Sequence, residues 1–170
     1  MSQSIRALQF WALTVLISVL GSNTTAQEQP EGRVILEVTG ALGRTNADGA
    51  MRYDLAMLDA LGSHQVITRT PWTDGDTVFE GVLLRDLMAD VEANGTEADA
   101  IALNDYTVGI PLQDGEQYDV ILALRADGRV LTVRNRGPVW IIYPWNDEPD
   151  LQNEVYYSRS IWQLKTLDVR

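Results

Sequence analysis

The chain is organised around Asp119–Trp145, which reads DVILALRADGRVLTVRNRGPVWIIYPW. Val120–Leu124 is a short apolar run of good β-formers, the pattern of a buried strand. Asp127-Gly128 is a turn pair, so Arg129–Val133 is predicted to return as a second strand. Arg136-Gly137-Pro138 breaks the pattern, and Val139–Tyr143 supplies a third strand that ends at Pro144. Function is expected at the polar positions around these strands, Arg134, Arg136, Tyr143 and Trp145.

Outward from this stretch, the chain alternates short strands and helices. Arg33–Thr39 predicts an early strand, and Asn46–Gly49 a loop or hairpin tip. Leu55–Leu61 predicts a helix with Asp54 as N-cap and Gly62 as its stop. Gln65–Thr70 reads as a strand running into a loop, Pro71–Asp76, that carries Trp72. Thr77–Gly81 returns, and Val82–Asn94 predicts the longest helix, closed by Gly95, with Leu83, Leu84, Leu87, Met88 and Val91 facing the core. Asp99–Leu103 and Thr107–Pro111 are further strands, separated by the turn chemistry of Asn104-Asp105-Tyr106. Leu112–Gln117 carries a second turn at Asp114-Gly115. An acidic loop, Asn146–Asp150, follows Trp145, and the segments Val155–Tyr157, Ser158–Leu164 and Lys165–Val169 complete the domain. Trp140 and Trp162 are expected in the core. This irregular interleaving predicts an α+β fold, a single mixed-sheet domain.

The 170 residues suit one domain, and 45% apolar content is enough for a packed core. Arg6 precedes an apolar run, Ala7–Leu20, and then a small polar exit ending at Ala26. That pattern predicts a secretory signal over 1–26 and a linker over 27–33, leaving the domain at 34–170. A retained N-terminal membrane anchor is the alternative. Cleavage implies a periplasmic or secreted protein. There is no cysteine, so no disulfide and no thiolate is available. The formal charge is −11, and removing 1–26 takes away one Arg and no acid, giving −12. Such acidity excludes phosphate-backbone binding and with it nucleic acid as a partner.

The side chains alone name no chemistry. His64, the sole histidine, has no Ser/Asp arrangement near it in sequence and reads as a satisfied loop residue. Asp74, Asp76, Asp147, Glu148 and Asp150 match no calcium-loop spacing, and solvated loop carboxylates are the stronger reading. There is no zinc motif and no phosphate-cradling glycine loop.

A set of short motifs, taken in order, adds a family. Phe79-Glu80-Gly81 leading into Val82–Leu87, then Asn104-Asp105-Tyr106, Ile110-Pro111-Leu112, Asp119–Leu124 with Gly128 and Leu131, and Gly137-Pro138-Val139, together resemble the molybdopterin-binding domain of the sulfite oxidase superfamily. The resemblance covers about 34–169. It implies a mixed-sheet α+β fold that holds a molybdenum–pterin cofactor for oxygen-atom transfer. In catalytic members of that family one cysteine ligates the metal. The corresponding segment here, Val66–Trp72 (VITRTPW), has none, and the hydroxyls of Thr68 and Thr70 are poor substitutes. Trp140 stands where the family has an arginine, and Trp162 follows Arg159-Ser160-Ile161 where the family has a basic residue.

The resemblance thus implies a small-molecule pocket, with a pterin-type cofactor as its candidate ligand. The candidate contacts are Arg69, Trp72, Asn104, Asp105, Tyr106, Arg136, Tyr143, Trp145, Arg159 and Ser160. Arginines offer paired hydrogen bonds to an anion, and the aromatic residues offer walls for a ring. Ion pairs with surface carboxylates and ordinary packing are the competing uses of the same residues. No residue is assigned a catalytic role or a metal. Three functions follow. One is an exported ligand-binding or sensory module, oxidoreductase-like in fold, with a membrane sensor or redox protein as its partner. Another is an active periplasmic molybdopterin oxidoreductase without a protein cysteine ligand. The last is an acidic docking domain that uses Asp147–Asp150.

Overall fold

The computed structural model describes residues 29–170. The expected signal segment, 1–26, and the first linker residues lie outside them. Among the described residues no helix is long and apolar enough to cross a membrane.

Among the described residues ten strands form two sheets. The first contains β1 (Leu36–Gly40), β2 (Ala50–Tyr53), β5 (Glu97–Ala102), β6 (Thr107–Pro111) and β10 (Leu164–Val169), in the order β2-β1-β10-β5-β6. β1 and β10 run parallel with Val38 opposite Leu167, and the other pairs are antiparallel, so this is the expected mixed sheet. It joins the two ends of the domain. The second sheet is antiparallel throughout: β3 (His64–Arg69), β4 (Asp76–Leu83), β7 (Ile121–Ala126) and β8 (Arg129–Val130), with β9 (Trp140–Ile142) also paired to β7. Four short helices connect them: α1 (Leu55–Ala60), α2 (Leu84–Asp90), α3 (Gln113–Gln117) and α4 (Glu154–Arg159).

The opening stretch behaves as its apolar run predicts, for a physical reason. Leu122 and Leu124 belong to the main core, whereas Ile121 and Ala123 belong to a second cluster with Val66, Phe79 and Trp140. β7 is therefore buried on both faces, which is why it reads as a continuous run rather than an alternation. Asp127 and Gly128 both have positive φ, 49° and 73°, the conformation of a two-residue hairpin loop. Gly81 sits at a bulge against β7, where a Cβ would lie 2.0 Å from the Leu122 carbonyl oxygen. Gly137 is similarly constrained: its Cβ would lie 2.4 Å from the Leu131 backbone.

Several boundaries differ from the expectation. The predicted return strand Arg129–Val133 stops at Val130, because Thr132 caps a single 3₁₀ turn at Val133–Asn135 and its hydroxyl bonds the Asn135 side chain at 2.8 Å. The helix predicted over Val82–Asn94 spans only Leu84–Asp90. Glu92 takes a left-handed φ of 50°, and the Ala93 amide donates to the Met88 carbonyl, so the reversal precedes Gly95. The turn expected at Asp114-Gly115 is α3. His64 opens β3 rather than sitting in a loop; its Nε2 lies 3.5 Å from Asp119 Oδ2, and Arg85 approaches the same carboxylate at 2.8 Å. α1 follows its prediction, and Asp54 Oδ1 accepts from the Met57 amide at 2.9 Å.

Candidate functional site

The Val66–Trp72 segment positions the site through its hydroxyls. Thr68, fully buried, accepts the Asn146 amide at 3.1 Å, tying β3 to the acidic loop. Thr70 Oγ1 accepts the Trp72 amide at 3.1 Å, and Thr73 Oγ1 accepts the Thr70 amide at 3.2 Å. These turn contacts project Trp72 from the end of β3. The Thr70 hydroxyl is thus used within its own turn, and that of Thr68 holds the acidic loop.

Trp72 is the hub of an aromatic cluster. Its ring centroid lies 5.2 Å from Trp162, 6.1 Å from Trp140, 6.2 Å from Tyr157 and 6.4 Å from Trp145. The rings meet at steep angles, 73° for Trp162 and 79° for Tyr157, the edge-to-face arrangement favoured by ring quadrupoles. The Arg136 guanidinium rests 5.2 Å from the Trp140 ring and 6.0 Å from Trp162.

Two cavities flank this cluster. The first, about 310 Å³, is walled by Trp72, Tyr106, Tyr157 and Trp162, with Asn104, Glu154, Ser158 and Ser160 as its polar residues. Glu154 is its one charged lining residue. Ser160 is buried, and its Oγ has no hydrogen-bond partner among the described residues. The second cavity, about 520 Å³, is lined by Arg69, Thr70, Asn146 and Trp145 among others, and shares Tyr157 with the first. The indole N–H of Trp145 is likewise buried without a partner among the described residues.

Of the residues expected to meet a ligand, Trp72, Asn104, Tyr106 and Ser160 come together in the first cavity, and Arg69 and Trp145 line the second. Arg136 backs the first cavity's wall through Trp162. The others are used elsewhere. Tyr143 is fully buried and donates to Asp114 Oδ2 at 2.7 Å, and Arg159 Nη1 donates to the same oxygen at 2.9 Å. Burial, then the Asp114 charge, drives the Tyr143 hydroxyl far above the usual tyrosine range. Asp105 is exposed, has positive φ, and pairs with Lys165 at 2.6 Å. Asn104 also accepts the Tyr106 amide in a local turn, at 3.2 Å.

Trp162, expected in the core, is instead 37% exposed at the cavity wall. The sequence reading missed Glu154, Tyr157 and Ser158, all on α4. The signal for that helix is present: Asn153 caps it by accepting the Val155 amide at 3.0 Å, with an acid in its first turn and a base in its last. Among the described residues no group of three His, Asp or Glu side chains is placed to hold a metal ion.

Residues 47–146 match the family model of the oxidoreductase molybdopterin binding domain. Comparison with curated proteins gives no match. Among solved structures, the chain is similar to the sulfane dehydrogenase SoxCD of Paracoccus pantotrophus, with a TM-score of 0.57 at 15% identity. The similarity covers 79% of this chain and 37% of that one, so the protein spans well under half the length of the dehydrogenase chain. At that identity the likeness bears on the fold.

Proposed function

The chain belongs to the oxidoreductase molybdopterin-binding domain family, and from that premise we propose that it is an exported small-ligand-binding or sensory module whose site is the Trp72 cavity. The observation that carries the reading is the pairing of an aromatic-walled cavity with the absence of any thiolate donor. A volume near 310 Å³, apolar walls and a few converging polar groups suit a small organic ligand.

The residues present do not fit the family's molybdenum–pterin group as a whole. The chain has no cysteine, and the hydroxyls of Thr68 and Thr70 already accept the Asn146 and Trp72 amides. A hydroxyl at ordinary pH is also a far weaker metal donor than a thiolate. Arg159, a candidate for an anionic phosphate, is held by Asp114, and the cavity instead presents the Glu154 carboxylate. The pterin ring by itself has aromatic walls and Asn104 to meet, and a pterin-type ligand is one arm of the test.

The N-terminal pattern supports export, and a signalling role would pair the domain with a membrane sensor or redox protein. Purification of the native protein from molybdenum-replete cells, followed by metal analysis and mass spectrometry of co-purifying small molecules, tests the reading. A bound organic molecule without molybdenum is the expected result. Stoichiometric molybdenum with a pterin would overturn it in favour of an oxidoreductase that holds its metal without a protein thiolate. The same preparation reports whether the chain begins after Ala26.

A further inference from the structure

The walls of the Trp72 cavity cross rather than face one another. Trp72 meets Trp162 at 73° and Tyr157 at 79°. A flat heterocycle stacks best between parallel faces, whereas crossed rings present π-faces and edges to a rounded group from several sides. The faces of indole and phenol rings carry negative potential and attract cations. This chain already uses that attraction, because Arg136 lies over Trp140 and Trp162.

The charge of the cavity points the same way. Glu154 is its one charged lining residue, is exposed, and has no ion-pair partner among the described residues. The chain as a whole carries a formal charge of −11, a field that draws cations toward an acidic site. An anion would meet Glu154 and find Arg159 already committed to Asp114. Asn104, Ser158 and Ser160 are polar groups that can orient a hydroxyl or carboxylate tail at the other end of such a ligand.

Resting on the reading of this cavity as the ligand site, we propose that its ligand is a compact organic cation of the methylated-ammonium class, held by Trp72, Tyr157 and Trp162 and balanced by Glu154. Arg136 then acts with the opposite sign to that expected for a contact with an anionic cofactor, as a positive group behind the wall that opposes the ligand's charge.

The test uses the full mature chain and calorimetric or tryptophan-fluorescence titration. The probes are choline, its neutral isostere 3,3-dimethylbutan-1-ol, and pterin. The expected order is choline first, with the isostere roughly tenfold weaker or worse, since only the cation gains from the ring faces and the carboxylate. Glu154→Gln is expected to weaken choline about fivefold, and Arg136→Gln to strengthen it by a factor of about two to five. Added salt should weaken choline and leave the isostere unchanged. Equal binding of choline and the isostere would overturn the proposal, as would Arg136→Gln weakening choline. Tight binding of pterin with none of choline would sink the cation and leave the cavity as a ligand site. If none of the three probes binds and nothing co-purifies with the native protein, the cavity reading fails as well. Thermal unfolding of each variant shows whether it is folded. The salt series on the unmodified chain decides the matter even if Arg136→Gln is not.

Discussion

Two Tyr–Asp–Arg trios occupy this domain. At β2 and α2, Tyr53 donates to Asp90 Oδ2 at 2.5 Å while Arg44 pairs with the other oxygen of the same carboxylate. At β9 and α4, Tyr143 and Arg159 converge on one oxygen of Asp114, at 2.7 and 2.9 Å. The first trio reaches the surface, with the Arg44 side chain 36% exposed, whereas the Arg159 and Asp114 side chains are 19% and 8% exposed. The chemistry is shared and the consequences differ. Arg159 is followed directly by Ser160, and Glu154 and Tyr157 lie on the same helix, so the buried trio fixes one wall of the Trp72 cavity. The Arg44 trio ties a strand to a helix and has no residue lining that cavity.

Removing each carboxylate separates the two trios most strongly. Asp114→Ala leaves a buried guanidinium and a buried hydroxyl without their acceptor, and a loss of about 3–5 kcal/mol in urea unfolding is expected. Ligand binding at the Trp72 cavity should fall with it, even under conditions where the variant remains folded. Asp90→Ala strips an acceptor from Tyr53, but Arg44 can turn to water, and the expected loss is about 1.5–3 kcal/mol with ligand affinity unchanged. Equal losses from the two variants, or a ligand effect from Asp90→Ala, would erase the distinction drawn between the trios.

Alkaline pH acts on both trios at once. The hydroxyls of Tyr53 and Tyr143 are pushed far up, in each case by burial first and then by the neighbouring aspartate. The folded protein therefore holds those protons more tightly than the unfolded chain, whose tyrosines titrate near ~10. The stabilisation is complete below that pH and is lost as the pH rises above it, because only the unfolded state can readily ionise. Unfolding midpoints measured from pH 8 to 11 should fall along the upper part of that range. Tyr53→Phe and Tyr143→Phe should each flatten the fall, at the cost of lower stability at neutral pH.

What could be read from the residues, and what could not, follows from the same packing. β7 and the β9 region were legible because both of their faces are buried, which leaves an unbroken apolar run in the sequence. α1 was legible because Asp54 and Gly62 bracket it. The end of α2 was hidden by Glu92, a left-handed residue that is not glycine. α4 was hidden because six residues cannot show a helical period, although its cap and end charges were there to be read. The site suffered from a further limit. Sequence could offer Arg159 and Tyr143 as ligand contacts, but it could not show that Asp114, read as part of a turn, was waiting for both of them. Trp162 failed in the opposite direction: its apolar neighbours suggested core, and the end of α4 delivers it to the cavity wall.

Ser160 spends its whole backbone on structure, its amide bonding the Tyr156 and Tyr157 carbonyls and its own carbonyl accepting the Trp140 indole N–H at 3.1 Å. Its Oγ alone is idle, a buried hydroxyl for which the described residues supply no partner. A group that exists only to be packed would do better as a methyl, since an unpaired buried hydroxyl carries its desolvation cost with no return. Ser160→Ala should therefore leave the ligand-free protein unchanged or more stable by up to ~1 kcal/mol, the reverse of the effect expected for Asp114→Ala. Affinity for the cavity's ligand should fall in the same variant, because the ligand then loses the hydroxyl it would hydrogen-bond. A destabilised Ser160→Ala with unaltered binding would place Oγ among the structural groups, beside Arg159, and leave Asn104 and Glu154 to orient the ligand.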